Sequence, residues 1–158
     1  MYRTVNDFLT DWSLSTKGTI QVFESLKDEK LNQAIVEGHS TLGWIGWHIV
    51  TSTVFFADLV GLNVVSPGDE NVAPNKSITI LNAYLNIVEE VKREVGNMTD
   101  EEIITNIDNF GQLTPRGKLL RDLIDHTTHH RGQMTVLLRQ AGLPVPGIMG
   151  PTKEEQSY

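Results

Sequence analysis

Cysteine is absent from the 158 residues, and that one absence removes several kinds of chemistry. Disulfide frameworks, thiolate metal sites, cysteine nucleophiles and iron–sulfur clusters all need the missing thiol. A metal held by this chain must be held by nitrogen and oxygen. Basic residues are the minority charge, 13 Lys and Arg against 20 Asp and Glu, for a formal net charge of -7. They are scattered and mostly stand beside acids, so no cationic patch offers itself to a phosphate backbone or an anionic lipid surface. Neither nucleic acid nor membrane is expected as a partner.

A long apolar run is missing too. The opening residues, Met1 to Ser13, contain Arg3, Asp7 and Asp11 and do not read as a secretion signal, so a cytoplasmic location is expected. Thr41 to Ala57 comes nearest to a membrane segment, with His48 its one ionisable residue, but it contains Gly43, Gly46, Thr51, Ser52 and Thr53. It also falls short of the roughly 20 apolar residues that a span needs. It reads as a buried helix. No internal repeat or low-complexity tract divides the chain, and its length suits a single domain over 1–158 that buries its own core.

What is present is helical periodicity, and the class expected is all-α. The first helix spans about Thr4 to Lys27, with Val5, Phe8, Leu9, Trp12, Ile20, Val22, Phe23 and Leu26 tracing one face. After a polar connector to His39, the second starts with Ser40 or Thr41 as cap and closes at Gly61. It is apolar nearly all round, so it is either central in the fold or covered on its outer face by another subunit. Leu62 to Lys76, broken by Pro67, Gly68 and Pro74, is a long crossing loop. The third helix, capped by Ser77, repeats Leu81, Tyr84, Val88, Val91 and Val95 to its end at Gly96 and Asn97. Thr99 to Glu102 carries a capping box, and Asn106 to Gln112 reads as loop, with no strand pair in the chain. The fourth helix takes Thr114 as cap and Pro115 as its first residue and runs to Ala141, ahead of Gly142 and Pro144. Leu143 to Pro151 reads as an extended segment packed back on the helices.

Three of the five histidines crowd into His126-Thr-Thr-His129-His130. Positions four apart on a helix differ by about 40° in azimuth, so His126 and His130 share one face. That face continues through Leu119, Leu123, Met134 and Leu137, which are core residues by type. His48 occupies a similar place on the second helix, with Trp44, Ile45, Ser52 and Phe55 within about 60° at 100° per residue. A lone histidine on an apolar face is more often a core residue bonded to a carbonyl or hydroxyl than a ligand, and His48 by itself admits that reading. Burying two adjacent imidazoles costs about 1–3 kcal/mol for each nitrogen left unpaired, a cost that a shared metal ion removes. His48, His126 and His130 are therefore the candidate metal ligands. His129 falls to the flank, supporting an imidazole, facing another subunit or replacing His130 as ligand. Asp122 and Gln133 stand a turn to either side and could orient a ring; His39, in a loop, is not expected to ligate. No Glu completes an HExxH pattern, which argues against a metalloprotease.

Thr41-Leu-Gly-Trp-Ile-Gly-Trp-His48, His126-Thr-Thr-His129-His130-Arg131-Gly132-Gln133 and Gly142-Leu-Pro-Val-Pro-Gly147 together resemble the DinB/YfiT-like family of metal-dependent proteins. The resemblance covers nearly the whole chain. It implies a four-helix bundle with a long crossover between helices two and three. It also implies a divalent ion, often zinc or nickel, on the positions that match the family motif, His48, His126 and His130. Members include thiol-dependent transferases and isomerases, and dimers are frequent. The expected function is a metal-dependent enzyme, a hydrolase or thiol transferase, acting on a small molecule such as a low-molecular-weight thiol. The alternative is a non-catalytic metal-binding bundle that dimerises through the outer face of the second helix. No general base is identifiable from sequence.

Overall fold

The computed structural model describes residues 1–156. Four long helices form the bundle: α1 (Val5–Glu24), α2 (Leu42–Leu59), α3 (Ser77–Gly96) and α5 (Arg116–Gln140). A short α4 (Asp100–Ile104) and a hairpin of β1 (Asn106–Asn109) and β2 (Gln112–Pro115) lie between α3 and α5. Helix α5 packs on α1 and α2, and α3 packs on the same two from the other side. The core they enclose includes Phe8, Trp12, Phe23, Ile49, Ile80, Tyr84, Leu123 and Met134, all almost fully buried. No helix among the described residues is long and apolar enough to cross a membrane.

The crossover has a physical cause. Leaving α2, the chain donates from Asn63 N to Glu94 and from Val65 N to Glu90, near the C-terminal end of α3. It then has to return to Ser77 to begin that helix. Helices α2 and α3 are thus parallel neighbours, which a short turn cannot join. On its way the loop crosses Trp47, whose indole N–H donates to the Asp69 carbonyl at 2.8 Å. Gly46 lies where α2 meets α3, with Ile80 beside it. Of the face of α2 opposite His48, Gly43, Gly46, Val50, Thr53 and Ala57 are buried within the chain and Val54 is half-buried. The helix is central, and that face is not free to meet another subunit.

Several boundaries differ from the sequence reading. Where Asn106 to Gln112 reads as loop and no strand pair is expected, β1 and β2 pair antiparallel, with Ile107 opposite Thr114. Each strand has four residues and one aliphatic side chain, too little for an alternating pattern to show. The turn is Phe110-Gly111, both at positive φ, 52° and 84°, held by Asp108 accepting from Gly111 N at 2.8 Å. Holding an L residue in that region costs roughly 1–2 kcal/mol. The hairpin also displaces the start of α5: Thr114 and Pro115 belong to β2, and the helix begins at Arg116. Ser77 does not cap its own helix. Asp28, from the single 3-10 turn after α1, accepts from Ser77 N at 2.8 Å and Ser77 Oγ at 2.9 Å, so α3 is capped from across the chain. Of the two caps the sequence offers for α2, Thr41 is the one used, and the Thr99/Glu102 capping box opens α4 as the spacing predicts. The last segment folds back with Val145 buried and Ile148 against the core.

Candidate metal centre

Helices α2 and α5 run antiparallel where they touch, with Gly46 beside Met134 and Phe56 beside His126. That pairing sets His48, at mid-helix, opposite His126 and His130. The three ring centroids are 5.1 Å (His48–His126), 4.6 Å (His48–His130) and 4.4 Å (His126–His130) apart. One nitrogen from each lies within 4.8 Å of the others, and all three residues are half-buried.

The electrostatics favour neutral rings. Burial pushes His126 down to about 4, with His130, His48 and His129 adding repulsion. Burial also lowers His48, helped by His130 and opposed by Glu70. For His130 burial again lowers the pKa, against the hydrogen bond that the ring makes to Gln133. Neutral imidazoles keep a lone pair to donate, which is what a divalent cation needs.

Tautomers can be read from the partners. His130 Nδ1–H donates to Gln133 Oε1 at 3.0 Å, leaving its Nε2 as the lone-pair nitrogen. The other end of the same amide donates to His129 Nε2 at 3.1 Å. His129 is exposed and borders the site through Gln133 and through an edge contact with His130, ring centroids 5.0 Å apart. It belongs to the flank and not to the convergent set. His126 Nδ1 is buried with no hydrogen-bond partner among the described residues. One nitrogen of each of the three rings is close enough to the others to share a cation, so the donor set fits a divalent ion. A tetrahedral site with bonds of about 2.0–2.1 Å asks for nitrogens about 3.4 Å apart, within reach of small rotations of the rings. Asp122, considered as an orienting group, instead pairs with Lys118. His39 is exposed ahead of α2 and takes no part.

The profile of the DinB family matches residues 1–157. The chain belongs to the DinB family. Within it, the chain is 39% identical over 159 residues to the uncharacterised protein YrdA of Bacillus subtilis strain 168, covering 98% of this chain and 93% of that one. It is similar to the crystal structure of a DinB-like protein from Bacillus cereus ATCC 10987, at 40% identity and a TM-score of 0.85, over 93% of this chain and 99% of that one. YfiT from Bacillus subtilis, described as "a probable metal-dependent hydrolase with an unusual four-helix bundle topology", shares the fold at 15% identity and a TM-score of 0.66, over 87% of each chain.

This DinB site has two features beyond the sequence reading, which placed Trp44 on the His48 face but gave it no role. Trp44 stacks on His48 at 4.9 Å and 8°, fixing the ring plane; the i, i+4 spacing was the available signal. A cleft of about 350 Å³ opens beside the triad, lined by His48, Thr51, Ser52, Phe55, Phe56, Glu70 and His126. Glu70 is its one carboxylate, brought there by the crossover. Nothing in the sequence of that loop marks it, because a loop has no periodicity to tie it to a helix face.

Proposed function

We propose that this DinB protein is a metal-dependent hydrolase whose ion, zinc or nickel, is held by His48, His126 and His130. The observation that carries the reading is the convergence of three neutral imidazoles from two helices beside an open cleft. Three nitrogen ligands leave a coordination position vacant, which distinguishes catalytic from structural sites. An ion bound there supplies Lewis acidity, bringing the pKa of a coordinated water or thiol towards neutrality.

The chain's own residues do the rest. Gln133 holds His130 in one tautomer, and Trp44 fixes the plane of His48. Glu70 is placed to accept a proton at the mouth of the cleft and return it to a leaving group. Phe55 and Phe56 give the cleft its apolar lining. The description of YfiT as a probable metal-dependent hydrolase agrees with this reading. A thiol transferase would use the same ligands, with a cosubstrate thiol in place of water; the chain's lack of cysteine leaves the thiol to be brought in. The negative charge favours a small-molecule substrate over nucleic acid.

The test is elemental analysis of protein purified without a His-tag or nickel column, together with hydrolysis of a panel of small esters and amides. About one zinc or nickel per chain, with turnover lost on chelation and restored by the ion, is the expected result. Protein that takes up no divalent ion when dialysed against excess zinc sinks the proposal.

A further inference from the structure

The rings beside the cleft are arranged in a way that a metal site does not by itself require. Phe56 tilts against His126 with centroids 5.4 Å apart, and Phe55 meets Phe56 edge-on at 5.6 Å. Phe110, from the hairpin turn, lies nearly parallel to Phe55 at 6.5 Å and 16°. A ladder of three phenyl rings thus leads outward from the imidazole, across residues 55 positions apart in sequence. Its outer members are open to solvent: Phe55 is 48% exposed and Phe110 is 82% exposed.

Phe110 is also the one non-glycine residue at positive φ among the described residues. Two-residue turns of this kind favour Asn or Asp followed by Gly, because those side chains tolerate the left-handed region. A bulky aromatic in that place works against the turn, and an exposed one gains no core packing in return. Its position over Phe55, which itself lines the cleft, supplies a reason for it. Glu70, Thr51 and Ser52 also line the cleft, so it offers polar groups beside the apolar ones.

We propose that Phe55 and Phe110 form the wall that binds an apolar group of the substrate, aryl or branched alkyl, while its polar reacting end faces His48 and His126. The inference rests on reading the three histidines as a metal site. It narrows the substrate class to small amphipathic molecules: a cleft of this size holds one ring with a polar head, not a stretch of polymer. Phe110 selects among substrates and takes no part in bond making.

Benzohydroxamate and acetohydroxamate share a metal-binding head and differ in phenyl against methyl, so the change in the ratio of their dissociation constants between wild type and wall variants reads the wall. Calorimetry on zinc-loaded protein is expected to give benzohydroxamate an advantage of about tenfold. Phe110→Gly suits the positive φ and keeps the hairpin; it should cut that advantage to about threefold, and Phe55→Ala should cut it further, with one zinc per chain throughout. A wild-type ratio near one, or a ratio unchanged in both variants, overturns the inference while leaving the metal site standing. Failure of the wild type to bind zinc overturns both. An unchanged ratio with Phe110→Gly converting a dimer to a monomer in sedimentation overturns it as well, and gives the ring to a second copy of the chain.

Discussion

Helix α5 carries polar groups into the bundle on two sides, and the sides behave differently. Towards α1, Arg131 is buried to 4% exposure, and its Nη1 donates to the Ser15 carbonyl at 2.6 Å and to Thr19 Oγ1 at 3.3 Å. Gly18 makes room for it, since a Cβ there would lie 3.2 Å from the guanidinium and strike Ile148. Burial lowers the pKa of Arg131, and no carboxylate offsets this. Towards α2, the histidines are half-buried, border a cleft, and have each other and Gln133 for company. The arginine is fixed by bonds to the neighbouring helix, so its removal is a loss to the fold. The imidazoles leave lone pairs uncommitted, so their removal is a loss to a ligand.

The comparison breaks first, if it breaks, at His126. His126→Ala should weaken zinc binding by about 100-fold or more, because losing a ligand exceeds the 10–100-fold typical of losing a supporting group. Competition against a chelating dye measures this, and the metal-free melting temperature should move far less than it does for the arginine variant. Arg131→Ala is the converse. It should cost about 2–4 kcal/mol in denaturant unfolding, from lost packing and two lost hydrogen bonds, while zinc affinity stays within about twofold. If Arg131→Ala abolishes zinc binding without unfolding the protein, the two sides are not separate.

Gln133→Ala sharpens the histidine side. It frees the His130 tautomer and should weaken zinc binding by about tenfold, with unfolding nearly unchanged. The effect of pH on the metal-free protein is smaller and graded. The three histidines are lowered in the folded state, so the unfolded chain takes up protons first as pH falls. The stability they contribute is complete above about 6.5 and declines as pH falls towards the His126 value of about 4. Melting temperature should fall as pH is lowered through that window, and excess zinc should raise the curve at neutral pH and lose its effect in acid. A flat profile in His126→Ala would assign the slope to that ring.

Much of the fold was legible because bundle helices advertise themselves. The period of α3 and the caps Thr41 and Thr99 followed from local rules that the tertiary structure had no reason to override. The candidate ligands were legible for a related reason: His126 and His130 interrupt a core stripe at i, i+4, and His48 interrupts another. What escaped was whatever depended on distant chain. Asp28 caps a helix that starts 49 residues later, which no window around Ser77 reveals. The hairpin pairs four-residue strands that are mostly polar, and it moved the start of α5 past Pro115. Glu70 reaches the cleft through the crossover and Phe110 reaches Phe55 through the hairpin turn, so their places are set by where those connections land.

His48 is the sole triad member on α2, and titration of wild type and His48→Ala with cobalt(II), followed by its visible absorption, addresses the shared site most directly. One equivalent of tightly bound ion in the wild type, and at least a hundredfold weaker binding with an altered spectrum in the variant, is the outcome predicted. Equal affinity and an identical spectrum in the two proteins would contradict it, for the ion would then be held without the second helix.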